Sequence, residues 1–189
     1  MVSRIRPLYI VLGILALIVI WIWSGYNGLV TAKETVNTAW SNVQTQYQRR
    51  FDLVPNLVAT VKGAANFEQS TFTDITKARS QWQSATTREG QISAAQGLDG
   101  ALSKLIVTVE AYPQLQATQA YRDLMTSIEG TENRVGVARM DFNNAALAYN
   151  LKVKRFPGNV LAGIFGFSAE NLFQNAPGAD LAPKVDFTK

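Results

Sequence analysis

The chain has 189 residues, 47% hydrophobic and 17% charged, with a formal charge of +4 and neither Cys nor His. That excludes Cys/His zinc sites, thiol nucleophiles, disulfides and His-based triads, and suits a reducing or an oxidising compartment alike. Of the 18 basic side chains, Arg4 and Arg6 precede an apolar segment; the other 16 against 14 acidic ones leave +2, too balanced for a general nucleic-acid binder.

The apolar segment, Leu8 to Trp23, reads LYIVLGILALIVIWIW and carries no charge. At a rise of ~1.5 Å per residue it covers about 24 Å, and Tyr26 with the small residues around it closes most of the gap to a ~30 Å hydrocarbon core. Trp21, Trp23 and Tyr26 suit an interfacial aromatic belt on one side, with Tyr9 on the other. A cleaved signal peptide has a similar length, but cleavage needs small residues where WIWSGY places rings. An uncleaved transmembrane helix over 8–25 is therefore expected, behind a segment 1–7 too short for an inner domain. Arg4 and Arg6, against a first downstream cation at Lys33, put the N-terminus in the cytoplasm and the bulk of the chain outside it. The expected location is the cell (inner) membrane, single-pass.

From Tyr26 large side chains recur at alternating steps of three and four: Leu29, Lys33, Val36, Trp40, Val43, Tyr47, Arg50, Val54, Leu57 and Val61. This is the coiled-coil period. A second run uses Phe67, Thr71, Ile75, Ala78, Trp82 and Ala85, and a third Ile92, Ala95, Leu98, Leu102, Leu105 and Val109. Tyr112–Pro113 stops the third. The fourth runs Tyr121, Leu124, Ile128, Thr131, Val135, Ala138, Phe142, Ala145, Tyr149, Lys152 and Phe156, and ends at FPG. No strand alternation, dinucleotide motif, P-loop or EF-hand pattern appears. The expectation is all-α: an elongated antiparallel four-helix bundle over 26–156, with connections near 63–66, 88–91 and 111–114. The first and fourth helices, roughly 55 and 64 Å long, outreach the middle two at about 30–35 Å. A two-helix stalk next to the membrane would then leave Val36, Trp40, Phe142 and Tyr149 uncovered, as contacts for self-association.

Residues 157–173 begin PGNVLAGIFGF, apolar and uncharged, just after Lys152, Lys154 and Arg155. Two readings stand side by side. Phe156, Phe165 and Phe167 enter the membrane interface with the three cations at anionic headgroups, or the segment folds back as a cap on the stalk. The remainder, 174–189, reads as a flexible tail.

QYQRRFDLVPN, residues 46–56, interrupts the first helix. Arg50 occupies a core position of the heptad, a device that fixes register, with Asp74 or Asp123 as candidate partners. Proline costs ~3 kcal/mol inside a helix but little in a first turn, so with Asp52 as N-cap and Pro55 in the first turn the helix is expected to kink or restart there, a structural joint. The functional alternative is an acid/base pair of Asp52 with a second carboxylate, and Arg50 holding an anion. Glu110, Glu132, Asn133, Arg139, Asn143 and Asn144 pose the same choice between a lined site and interhelical hydrogen bonds.

YNGLVTAKETVNTAWSNVQTQYQRRFDLVPNLVATVKG resembles the N-terminal signature of the LemA family. VEAYPQLQA (109–117), ENRVGVARMDFNNAALAYN (132–150), FPGNVLAGIFGF (156–167) and VDF (185–187) are similar to its later motifs. The resemblance implies a single-span bacterial membrane protein with a helical-bundle domain, some relatives being linked to organelle membranes of magnetic bacteria. It also implies the opposite orientation, with the N-terminus outside. Ala64 and Phe67 stand where relatives usually have Tyr and His, which removes any shared chemistry resting on that His.

The expected function is a non-enzymatic, membrane-anchored scaffold that self-associates and organises membrane or recruits membrane partners. It would have no catalytic residue, no metal and no cofactor. The alternative is an adaptor or sensor whose bundle binds a partner protein or a lipid. A carboxylate hydrolase lacks His, Cys, a serine elbow and metal-ligand spacing.

Overall fold

Steps of three and four give each helix one apolar stripe, and burying four such stripes against each other dictates the architecture. The computed structural model describes residues 5–62, 69–110 and 112–174, apart from the side chains of 5, 6, 57, 58, 61, 62 and 69–71. Among these residues the chain is helical with no strand: α1 (Ile5–Lys62), α2 (Gln69–Ser84), α3 (Arg88–Val109), α4 (Pro113–Gln116), α5 (Gln119–Lys154) and α6 (Gly158–Phe165). The all-α bundle with an N-terminal membrane-length helix is what the periodicity predicts.

The span and the first bundle helix are one helix. At ~1.5 Å per residue its 58 residues reach about 87 Å. Its N-terminal part forms one helix long and apolar enough to cross a membrane, and that apolar window has no cover from the rest of the chain. Of the kink or restart expected at Asp52, the restart does not occur: Pro55 lies inside α1, and Asp52 accepts a hydrogen bond from Gln48 Nε2 at 2.9 Å. Phe51 and Val54 bury on either side of the joint, and their packing holds the helix through it.

α5 runs antiparallel to α1, with Arg50 meeting Glu132 and Lys33 lying 5.3 Å from the Tyr149 ring centroid. α2 and α3 form a hairpin turned at 85–87, rather than at 88–91. Thr87 caps α3 there by accepting from the Gly90 N–H, worth about 1 kcal/mol. The 63–66 connection lies outside the described residues. The third turn contains the short α4, and Thr118 then caps α5 through the Tyr121 N–H.

The inner stripes follow the expected positions closely. Leu29, Val36, Trp40, Val43, Tyr47, Arg50 and Val54 are buried on α1, and all six expected core positions are buried on α3. One correction concerns the stalk. Val36, Trp40, Phe142 and Tyr149 are buried within the chain, so they are not exposed contact surface. The hairpin turn reaches down to their level, where Trp82 packs 6.4 Å from Trp40 and Arg88 lies over both the Trp40 and Phe142 rings. Residues 166–174 complete the cover, packing Phe173 against both Trp40 and Phe142 at centroid distances of 6.0 and 5.8 Å, the two rings themselves touching at 5.2 Å.

Candidate functional site

Three features gather side chains that a packed helical rod does not require. The first is at the joint. Arg50, almost fully buried, bonds Asp99 of α3 at 2.6 Å and Glu132 of α5, so Asp74 and Asp123 are not its partners. Arg139 of α5 pairs with the same Asp99 and with the Tyr47 hydroxyl, which itself donates to Asp99 at 3.2 Å. Burial pushes the Asp99 carboxyl up to about 7, with Arg50 pulling it down and Glu132 pushing it up. Burial likewise lowers the Arg139 guanidinium. The arrangement ties α1, α3 and α5 into one register. Arg50 is already occupied by two carboxylates and Asp52 points to solvent, so the expected acid/base pair with an anion site is not assembled.

The second feature is the extended strap, residues 166–174, which follows α6 along the half of the bundle nearest the apolar segment. Asn150, buried, donates to the Glu170 carbonyl at 2.8 Å and accepts from the Glu170 N–H at 2.7 Å. Seven residues earlier Asn143 holds the Phe173 backbone the same way, at 3.1 and 2.9 Å. Glu170 pairs with Lys33 of α1 and, at 2.5 Å, with Arg88 of α3. Burial alone would raise its carboxyl, but the bond from Lys33 and the charge of Arg88 hold it below the ordinary range.

The third feature is α6. Leu161 and Ala162 bury against Leu29 and Ile22 of α1, where Gly25 leaves the space that Leu161 fills. Tyr26 packs edge-on against Phe165 at 4.8 Å and lies 5.9 Å from Phe167. The outer side of the segment stays open: Phe156 is 82% exposed, Ile164 68% and Phe165 45%. The segment thus caps α1 with one face and presents apolar rings with the other. Lys152, Lys154 and Arg155 are exposed beside those rings, as are Trp21, Trp23 and Tyr26 on α1.

α5 also carries a second, outward row. Val137, Met140, Leu147 and Leu151 are exposed at helical spacing, with Asn144 in the same row. Higher on the helix that row continues as Asn133, Thr126 and Asp123, all exposed and polar. Sequence reasoning fixed on the inner stripe and missed this one, although the spacing was available; it also missed Asp99, Asn150 and Glu170.

The LemA family model matches residues 39–187. Over 181 aligned positions the chain is 32% identical to "Magnetosome protein MamQ 2" of Paramagnetospirillum magneticum, covering 82% of this chain and 66% of that protein. It is 30% identical, with the same coverage, to "Magnetosome protein MamQ" of Magnetospirillum gryphiswaldense. "Protein LemA" of Metamycoplasma hominis is 25% identical over 137 positions, 72% of this chain and 63% of that protein. The chain spans about two thirds of the length of the curated relatives it matches.

Proposed function

The chain belongs to the LemA family, and from that premise we propose a non-enzymatic helical scaffold, anchored in the bacterial inner membrane by α1, that self-associates and organises membrane or recruits membrane partners. The observation that carries this reading is the outward row Val137, Met140, Leu147 and Leu151. Leu151 stands level with Gly28, because the neighbouring Lys152 Nζ donates to the Gly28 carbonyl at 3.3 Å. Val137 lies fourteen positions earlier on the same helix, about 21 Å farther from the bilayer. Headgroups can cover only the lower end of the row, so protein must cover the rest.

A second copy is the fitting partner. Two chains anchored in one bilayer stand side by side in the same direction, so the row meets its own copy in parallel. Asn144 then faces Asn144, the kind of polar core pair that fixes register in parallel helices. The polar residues above Val137 confine the contact to the membrane-proximal half. Similarity to magnetosome proteins supports a role at a membrane. The positive-inside reading of Arg4 and Arg6 supports a bundle outside the cytoplasm.

The test is the mass of the detergent-solubilised full chain by light scattering. At least twice the 20.8 kDa of one chain is expected, falling to one copy in Leu147→Glu. A strictly monomeric wild-type chain overturns the reading. A reporter fused after Lys189 tests the orientation, and alkaline extraction tests the anchoring.

A further inference from the structure

A cleft of about 350 Å³ opens where α1 leaves the apolar segment and α5 turns into α6. Gly28 forms its open floor, with Leu29 beside it, and Leu151 and Phe156 form a wall; Gly25 lines it too, but Leu161 occupies the space its missing side chain leaves. A Cβ added at Gly28 would meet nothing within 4 Å, so the floor is open because that residue has no side chain. The volume falls in the ~300–1,000 Å³ range of small-ligand clefts.

The polar character of the cleft is one-signed. Lys152 and Arg155 stand at its rim, and no carboxylate is among the residues that line it. Lys152 leans across it far enough to bond the Gly28 carbonyl. Both cations are solvent-exposed, neither has a carboxylate partner among the described ion pairs, and the exposed Lys154 adds a third charge nearby. A soluble polar ligand would leave the apolar floor and wall without a match. A long hydrocarbon chain with an anion at one end matches both parts. The cleft also lies within about a turn or two of Trp23 and Tyr26, the belt that marks the edge of the apolar segment.

We propose that this cleft binds one anionic phospholipid per chain, an acyl chain along Gly28, Leu29, Leu151 and Phe156 and the phosphate at Lys152 and Arg155. The proposal rests on reading Leu8–Trp23 as a bilayer span. Binding a lipid here would also fix the outer face of the α5–α6 turn against the bilayer, so Phe156 and Ile164 gain the cover that the chain does not give them.

The experiment is native mass spectrometry of the full chain in detergent, titrated with dioleoylphosphatidylglycerol or dioleoylphosphatidylcholine. One phosphatidylglycerol per chain is expected to persist. It should be preferred by about thirtyfold, or about fivefold per cation. Lys152→Gln with Arg155→Gln should bring the preference near unity. Gly28→Leu, which fills the cleft, should lower occupancy by either lipid about tenfold with unchanged helical content. Phe156→Ser, at an exposed position that folding does not need, should lower it severalfold and serves if Gly28→Leu fails to fold. Equal occupancy by the two lipids in the wild type, or undiminished binding in both cleft variants, overturns the proposal. So does displacement of the lipid by inorganic phosphate, which would mark a free-anion site. Alkaline extraction separates the two failures, because loss of anchoring does not depend on Gly28, Lys152 or Arg155.

Discussion

Replacing Phe173 by Ala removes the ring that the strap packs against the touching pair Trp40 and Phe142. The side chain is 7% exposed, and truncating a buried Phe costs about 3–5 kcal/mol. The strap could escape that cost by peeling away, but it is held by four hydrogen bonds with Asn143 and Asn150, one donated and one accepted by each side chain. At about 1 kcal/mol each, with the Glu170 ion pairs added, peeling costs as much as the cavity. The penalty should therefore reach the bundle as a whole. For a domain of this size it corresponds to a fall in Tm of roughly 6–20 °C. Thermal melting of the full chain in detergent, followed by far-UV circular dichroism, measures it against Leu172→Ala, whose side chain is 36% exposed. Trp40 emission should shift to the red as its stacked neighbour is lost. Equal, small shifts for the two variants with unchanged emission would refute the strap as cover for the aromatic core.

Other predictions follow from the same contacts. Asp99 titrates near 7 when folded against 3.8 unfolded, so its contribution is complete below about pH 4 and is lost as pH rises through 7. The stability of the wild type relative to Asp99→Asn, measured by urea unfolding, should fall over that window by on the order of 3 kcal/mol; a rise would mean that pairing with Arg50 and Arg139 outweighs burial. Glu170 is shifted the other way, so its contribution is present above the ordinary carboxylate range and lost on acidification below it. Hydrogen exchange at 168–174 should accelerate there in the wild type and be insensitive to that pH change in Glu170→Gln. A Cβ on Gly158 would run into the Lys152 carbonyl, whereas on Gly25 it meets only the end of the Leu161 side chain. Gly158→Ala should therefore destabilise docking of α6 by more than Gly25→Ala, which is bounded by the ~1–3 kcal/mol of ordinary overpacking; tryptic cleavage near Lys154 reports both.

The inner stripes were legible because burial on one face of a long helix writes itself as steps of three and four. The pattern slips at the ends of the two long stripes, where Tyr26, Lys152 and Phe156 are exposed, and beside the strap, where Ala146 is buried rather than Ala145 and Asn150 joins Tyr149 inside. There α5 packs against α1 and the strap together, so its buried arc widens beyond a heptad seam. The strap itself was not legible. GFSAENLFQ has no period, and what fixes it is side-chain to backbone bonding with Asn143 and Asn150, whose spacing of seven residues was its only trace. Arg50 was readable as a register residue, but its partner depended on where the α2–α3 turn falls, and shifting that turn to 85–87 brings Asp99 to its level. Asp52 and Pro55 misled because local helix rules lose to the packing of Phe51 and Val54.

The account turns on α5 meeting a second copy through its outward row. The sequence has no cysteine, so single cysteines can be placed on a clean background and oxidised in native membranes. Asn144→Cys should give a disulfide-linked dimer, while Thr35→Cys, at an exposed position on α1, should not. No dimer through Asn144→Cys, or equal dimer at both positions, would contradict it.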